Sequence, residues 1–332
     1  MPRLLAVDGN SLGHRAWHST RNDADGDPRP LTTGSVVSML ASAWRYGPYD
    51  GVVVGFDHPT NRRKADHPEY KANRPPSPPE LTAALSELRG HLDGCGFHVA
   101  ELDGAEADDL LAATADACLQ RDWSCDLLSS DRDLTALVCD TVRLLRPRAH
   151  FADLEVEDEA RVLAKYGIPP AAYTDLAALR GDPSDGLRGA TGIGPKTAAR
   201  LLRDHGSVAS LYAALTDLPP RVEASLREAR NRVERNLLLM APIPHLPVDV
   251  DTVLHRGVDP DSVTRALTPL GLEGAARRFE RALTEPLPPV APPPDEPGSD
   301  EHAAVQAPML VASAASRGPV AASGEQGALF DL

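Results

Sequence analysis

Two short apolar runs, Arg3-Leu-Leu-Ala-Val-Asp8 and Gly51-Val-Val-Val-Gly-Phe-Asp57, each end in a carboxylate. Unbroken apolar stretches of this length, bounded by turn residues, predict strands buried on both faces. Between them, residues 31–46 carry Val36, Val37, Leu40 and Trp44 at helical spacing. Further strands are expected at 97–100, from Cys125 towards Asp131, and at 141–145, with a helix over 105–120. Strands alternating with helices specify an α/β fold with a doubly wound, mostly parallel sheet. Ligands of such a sheet bind beyond the carboxyl ends of its strands, where Asp8, Asp57 and Asp131 fall. One strand-end acid is ordinarily a helix cap. Several at one edge point to a shared cation.

The stretch Glu106-Ala-Asp-Asp109 sharpens that expectation. Its carboxylates open an apolar run, 110–119, that reads as a buried helix. A single acid in a first turn complements the helix dipole. Three repel one another, and a divalent cation explains why they are tolerated.

The net charge of −14 argues at first against a nucleic-acid partner. The acids are unevenly spread, however. Seven of them, against Arg317 alone, lie in 285–332, and nine more are the candidate ligands named below. The remainder is close to neutral, which leaves room for local basic tracks along a phosphate backbone. The cysteines Cys95, Cys118, Cys125 and Cys139 form no CxxC pair and are expected as reduced, buried thiols. Asp8 comes too early for a signal peptide, and no apolar run reaches membrane-spanning length. A cytoplasmic protein without a membrane partner is expected.

In residues 58–80, Arg62, Arg63, Lys64, Lys71 and Arg74 outnumber Asp66 and Glu69. A basic loop is often merely solvated surface. Inserted directly after a strand-end acid, this one is placed to cover an active site and draw in an anion. Beyond position 151 a largely helical chain is expected. Within it, Gly192-Ile-Gly-Pro-Lys-Thr-Ala198 combines a tight turn with a proline suited to the first helical position. The turn's amides and the helix N-terminus form a phosphate seat. Lys196, Arg200 and Arg203 recur along the helix three to four residues apart. Together these make a helix-hairpin-helix signature for sequence-independent backbone binding. Only four of the 34 basic residues are lysines, and two of them, Lys71 and Lys196, fall in these motifs, where a compact ammonium suits a phosphate. Residues 221–239 read as a packed amphipathic helix. From 286 onward Pro, Ala, Ser and Gly dominate, the composition of a disordered tail.

Taken together the motifs resemble the bacterial 5′-nuclease family: the 5′-3′ exonuclease domain of DNA polymerase I, phage 5′-exonucleases and flap endonucleases. The likeness runs over residues 3–285. It is carried by Leu5-Ala-Val-Asp-Gly-Asn-Ser11, Arg15-Ala-Trp17-His18, Tyr70-Lys-Ala-Asn-Arg-Pro-Pro76, Glu106-Ala-Asp-Asp109, Ser130-Asp-Arg-Asp-Leu134, Gly181-Asp-Pro-Ser-Asp185 and the Gly192–Ala198 run. Arg62 stands where an aromatic is usual, Ser130 where a glycine is, and Gly186-Leu-Arg where an Asn-Ile-Pro run is.

The resemblance implies a PIN-like catalytic domain over 1–180 with a helical arch over 58–95, a helical helix-hairpin-helix (H3TH) domain over 181–285, and a tail over 286–332. It implies two-metal hydrolysis of phosphodiesters with Mg2+, for which Mn2+ may substitute. Asp8, Asp57, Glu106 and Asp108 would surround one ion, and Asp131, Asp133, Asp182 and Asp185 the other, with Asp109 between. Lys71 and Arg63, with Asp8, Asp108 and Asp131, would carry catalysis; Lys71, Arg63 and Arg15 would meet the scissile phosphate and 5′ end. Trp17 and His18 would stack on a terminal base. Arg74, Gly192, Gly194, Lys196, Thr197 and Arg200 would hold the DNA, with K+ at the helix-hairpin-helix. The implied substrates are DNA with 5′ flaps, nicks or free 5′ ends, and RNA primers. Gln326-Gly-Ala-Leu-Phe330 resembles a sliding-clamp-binding peptide anchored by Gln326, Leu329 and Phe330. Two readings compete. A PIN-type ribonuclease leaves Gly192–Lys196 without a purpose, and a noncatalytic DNA-junction binder has no use for nine acids.

Overall fold

From the N-terminus, β1 (Arg3–Asp8) leads into α1 (Gly9–Thr20) and α2 (Pro28–Ala43). Next come β2 (Gly51–Gly55), the short α3 (Arg62–Asp66), α4 (Pro79–Gly94), β3 (His98–Ala100), α5 (Ala107–Leu119), β4 (Ser124–Leu128), β5 (Val142–Pro147) and β6 (Leu154–Glu157). This computed structural model describes residues 1–20, 27–148 and 153–285. The strands form one sheet in the order β3-β2-β1-β4-β5-β6, the first five parallel and β6 antiparallel to β5. The winding reverses at β1, which lies between β2 and β4. The crevice expected of a doubly wound sheet therefore opens at the end of β1, at Asp8.

The apolar runs behave as their composition dictates. Leu4, Leu5, Ala6 and Val7 are fully buried, with helices on both faces. β6 departs from the helical expectation beyond position 151. Its Leu-Glu-Val-Glu sequence carries two acids, yet Glu157 is fully buried. It accepts hydrogen bonds from Lys165 Nζ (2.6 Å), Thr135 Oγ1 (3.1 Å) and Arg146 Nη1 (3.4 Å). Charge partners, not apolarity, let this strand join the sheet. The segment 58–95 divides in two: α3 and the turns after it border the site, whereas Leu88 and Leu92 of α4 enter the main core.

Helices α6 (Glu159–Tyr166) and α7 (Tyr173–Arg180), the small hairpin β7 (Gly181–Asp182) and β8 (Leu187–Arg188), α8 (Pro195–His205), α9 (Val208–Ala213) and α10 (Pro220–Met240) follow. Residues of α7 to α10 share a second core around Tyr173, Leu201, Leu211 and Leu226. The last helices, α11 (Val250–Arg256), α12 (Pro260–Leu267) and α13 (Glu273–Thr284), pack back on the first domain, α11 on β2, α12 on α4 and α13 on α2. Phe279 is fully buried and meets the rings of Trp44 and Phe97 edge-on, with centroids 5.1 and 5.5 Å away. Gly51 allows Val253 to close on β2, since a Cβ there would stand 2.7 Å from Val253 Cγ1. Among the described residues no helix is long and apolar enough to cross a membrane.

Candidate active site

Asp8 lies at the switch point and is 6% exposed. Its Oδ1 accepts from the Ser11 amide (2.8 Å) and its Oδ2 from Ser129 Oγ (2.7 Å). Burial, with Asp57 and Asp131 close by, pushes its carboxyl up to about 7. Asp57 lies just past β2, with its amide on Asn10 Oδ1 (2.9 Å). Its own Oδ1 accepts from the Ala107 amide at the start of α5 (2.8 Å). It too is raised, by desolvation and then by Glu106. Asp108 is held well above the usual carboxylate range by burial and by the charges of Glu106 and Asp109. These are the shifts expected of buried like charges crowded together.

Glu106, just before α5, behaves differently. Burial would raise it, but Lys71, Arg63 and the Tyr70 hydroxyl hold it below the ordinary glutamate value. Lys71 Nζ donates to Oε1; Arg63 Nη1 (3.0 Å) and Tyr70 Oη (3.1 Å) donate to Oε2. Lys71 has a left-handed backbone (φ 56°), uncommon for a residue with a side chain. Its amide donates to the Asp185 carbonyl (2.9 Å), which fixes that conformation.

The second group of acids gathers at the far side. Asp131 follows β4, and its Oδ1 accepts from the Asp133 amide (2.8 Å). Asp182 accepts from the amide (2.8 Å) and hydroxyl (2.6 Å) of Ser184. Asp185 is 8% exposed and takes a hydrogen bond from Arg74. Asp133 is held well above its usual range by burial and by Asp131, Asp182 and Asp185; Asp185 is raised by burial despite Lys71 and Arg74. Among the described residues, no three such side chains stand close enough to hold a metal ion as they are. Arg63, Lys71 and Arg74 reach in among them instead.

The geometry departs from three sequence expectations. Asp109, expected between the ions, is fully buried, and its carboxylate is spent on protein donors. It accepts from both Arg63 terminal nitrogens (2.7 Å each), from the Glu106 amide (3.1 Å) and from the Ile243 amide (2.9 Å). Arg63, expected on the phosphate, is 8% exposed and also donates to the Ala241 carbonyl (2.9 Å). Trp17 is likewise unavailable for base stacking: it is 5% exposed and packs with Leu81 and Ala84. His18 on the same helix is exposed, and Arg15 donates to the Arg148 carbonyl. Tyr70 and Ser129, which hold Glu106 and Asp8, were not singled out by sequence; Tyr70 belongs to the quoted Tyr-Lys-Ala-Asn-Arg run, and Ser129 directly precedes the Ser130–Leu134 motif.

On the C-terminal half, Gly192 has φ 76° and Pro195 opens α8, as the turn chemistry predicts. A Cβ built at Gly192 or Gly194 would meet nothing within 4 Å, so the turn's backbone is open to an approaching chain. Lys196 and Arg200 are exposed beside it, Thr197 is half-buried, and Arg203 points away to the Gly167 carbonyl (3.5 Å). The amides of the first turn of α8 have no intrahelical acceptors. Gln326, Leu329 and Phe330 lie outside the described residues.

The fold is a resolvase-like, PIN-type sheet joined to a helical SAM-like module. Residues 3–167 match the family model of the 5′-3′ exonuclease N-terminal resolvase-like domain, and residues 168–261 that of its C-terminal SAM fold; the chain belongs to the 5′-3′ exonuclease family. It is 34% identical over 273 residues to DNA polymerase I of Mycobacterium tuberculosis, covering 80% of this chain and 30% of that protein. It is 35% identical over 268 residues to the thermostable DNA polymerase I of Thermus thermophilus, covering 78% and 31%. The chain thus spans about a third of these relatives. The T5 D15 protein co-crystallized with metal ions shares the fold, with a TM-score of 0.59 at 22% identity over 85% of this chain and 99% of that one. The catalytic core of Rad2 in complex with DNA substrate does so with a TM-score of 0.52 at 15% identity, covering 85% and 92%.

Proposed function

We propose that this protein is a structure-specific 5′ nuclease that hydrolyses phosphodiesters of DNA with 5′ flaps, nicks or free 5′ ends, in replication and repair. The observation that carries this reading is the pairing of two acid groups at the switch point with an open glycine turn on the same compact unit. Family membership supports it, as do structural relatives described with metal ions or DNA substrate. The proposal assigns cutting to 1–180, duplex holding to 181–285, whose last helices α12 and α13 pack on α4 and α2, and partner contact to 286–332.

The donor set fits divalent cations. Asp8, Asp57, Asp108, Asp131, Asp133, Asp182 and Asp185 with Glu106 offer only hard carboxylate oxygens, which suit Mg2+ and Mn2+. Several are raised by burial and by one another, which a bound cation would relieve. When bound, two such ions supply an activated water and charge stabilisation at the leaving oxygen. The protein's own part is to hold and to neutralise. Lys71 and Arg74, which pair with Glu106 and Asp185, are the cations assigned to the scissile phosphate. Gly192, Gly194, Lys196, Thr197 and Arg200 seat the duplex backbone, with K+ at that turn. RNA primers as substrates, a sliding clamp bound through Gln326, Leu329 and Phe330, and a cytoplasmic location where the four thiols stay reduced complete the reading.

A 5′-labelled flap duplex and its matching single strand, each incubated with Mg2+ and with EDTA, test it. Metal-dependent release of the flap near the junction is expected, with the plain strand cut poorly. Binding without cutting in either metal would leave a junction binder.

A further inference from the structure

Helix α10 carries none of the side chains that the nuclease reading names. Its 21 residues span roughly 30 Å at 1.5 Å per residue. Near its start, Ser225 Oγ donates to the Thr191 carbonyl (2.6 Å), immediately before the Gly192 turn. Midway, Arg232 Nε reaches the Gly189 carbonyl (3.3 Å). The buried Asn236 then donates to the carbonyls of Ala178 (3.1 Å) and Arg188 (2.9 Å), gripping the hairpin that carries Asp182 and Asp185. Arg235 pairs with Glu69 below Lys71 (2.8 Å). Just past its end, the Ala241 carbonyl and Ile243 amide meet Arg63 and Asp109.

The two ends of α10 therefore touch the two places that the proposed reaction must bring into register. Arg63 is where the far end is read. One terminal nitrogen is shared between Asp109 and Glu106, the other between Asp109 and Ala241. A displacement of α10 must alter this fork, because hydrogen bonds of 2.7–3.0 Å weaken steeply when stretched or bent. Glu106 moves with it, since Arg63 supplies a donor to its Oε2. An 8% exposed guanidinium buried under two carboxylates has no face left for a phosphate.

We propose that Arg63 is a positioning residue that ties the seating of duplex at the Gly192 turn, through α10, to the placement of Glu106. The proposal rests on the nuclease reading above. It makes cutting sensitive to whether a duplex occupies the turn, and it gives Asp109 the task of orienting Arg63. A single strand that never reaches the turn does not use the tie.

The test compares flap duplex with matching single strand in single-turnover assays of the full chain at saturating Mg2+, together with flap affinity in EDTA. Arg63→Lys keeps the charge but cannot make the planar fork. Its flap rate is expected to fall ~10–100-fold, the usual effect of losing a partner that orients a ligand. Single-strand cutting should fall by a smaller factor, since it loses the donor to Glu106 but not the tie to the turn, and flap affinity in EDTA should hardly change. Ser225→Ala, at the opposite end of α10, should lower the flap-to-single-strand ratio in the same direction. Equal losses on both substrates, or weakened flap binding in EDTA, would overturn the proposal in favour of a phosphate contact or general support. If Arg63→Lys does not fold, an unchanged ratio in Ser225→Ala overturns it by itself. A wild-type chain that cuts neither substrate fails the nuclease reading, and this proposal with it. A wild-type chain that discriminates, beside an Arg63→Lys chain that discriminates equally well, fails this proposal alone.

Discussion

Replacing Asp8 by asparagine should make the metal-free protein more stable while ending its turnover. Folding carries the Asp8 carboxyl from its ordinary 3.8 to about 7. At 1.36 kcal/mol per unit, keeping it ionised in the folded state costs about 4 kcal/mol. The folded state binds the extra proton, so stability from this group is full below pH 4 and is lost progressively as pH rises through 7. Asparagine has the same shape and no charge. Its oxygen can accept from the Ser11 amide, and its NH2 can donate to Ser129 Oγ, which now donates to Asp8. In EDTA, the stability of Asp8→Asn relative to wild type should therefore be about 3 kcal/mol more favourable at pH 8 than at pH 5, from roughly two pH units of titration between 5 and 7. Denaturant unfolding of both proteins at the two pH values reads this double difference, in which the other acids largely cancel. With Mg2+ added at pH 8 the order should reverse, because the ion stabilises only the protein that can ligate it. A difference that does not vary with pH, or a variant less stable than wild type at pH 8 in EDTA, would refute the argument that Asp8 is a repelled, uncompensated charge.

Three further outcomes are expected. Asp182→Asn should lower kcat on a flap substrate by ~100-fold or more while leaving flap affinity in EDTA nearly intact, in line with loss of a group needed only as charge develops; parallel losses in rate and affinity would remove it from the metal site. Gly192→Ala has open space for its methyl but a backbone φ of 76°, so it should cost about 1–2 kcal/mol of stability and weaken duplex binding, with single-strand cutting preserved. Glu157→Ala leaves Arg146 and Lys165 facing an emptied site, and urea unfolding should register a loss of about 3–5 kcal/mol.

The parallel strands were legible because each is a short apolar run with turn residues behind it, and the acids were legible because they end those runs. The glycine turn was legible for the same local reason: Gly192, with φ 76°, and Pro195, at the start of α8, suit the backbone geometry there. What sequence could not give were pairings between distant residues. Nothing near Arg63 announces that it belongs to Asp109 and Ala241, 46 and 178 positions away. Read locally, it is one more cation in a basic loop. Glu157 hid β6 for a related reason, since two acids in four residues suppress an apolar pattern unless their partners on β5 and α6 are known. Trp17 was ambiguous by chemistry, and the choice between base stacking and core was made by Leu81 and Ala84 of α4.

The packing of α12 and α13 over α4 and α2 sets an order of events during synthesis. All nine acids and the Gly192 turn lie before residue 198, and the family match ends at residue 261. The core around Trp44 and Phe97 is nevertheless closed only by Phe279. A nascent chain on the ribosome has therefore assembled its complete chemical inventory while the outer faces of α2 and α4 still lack the cover of α13 and α12. A chain truncated near residue 261 would carry every candidate ligand and still be exposed to chaperones and proteases as an unfinished fold.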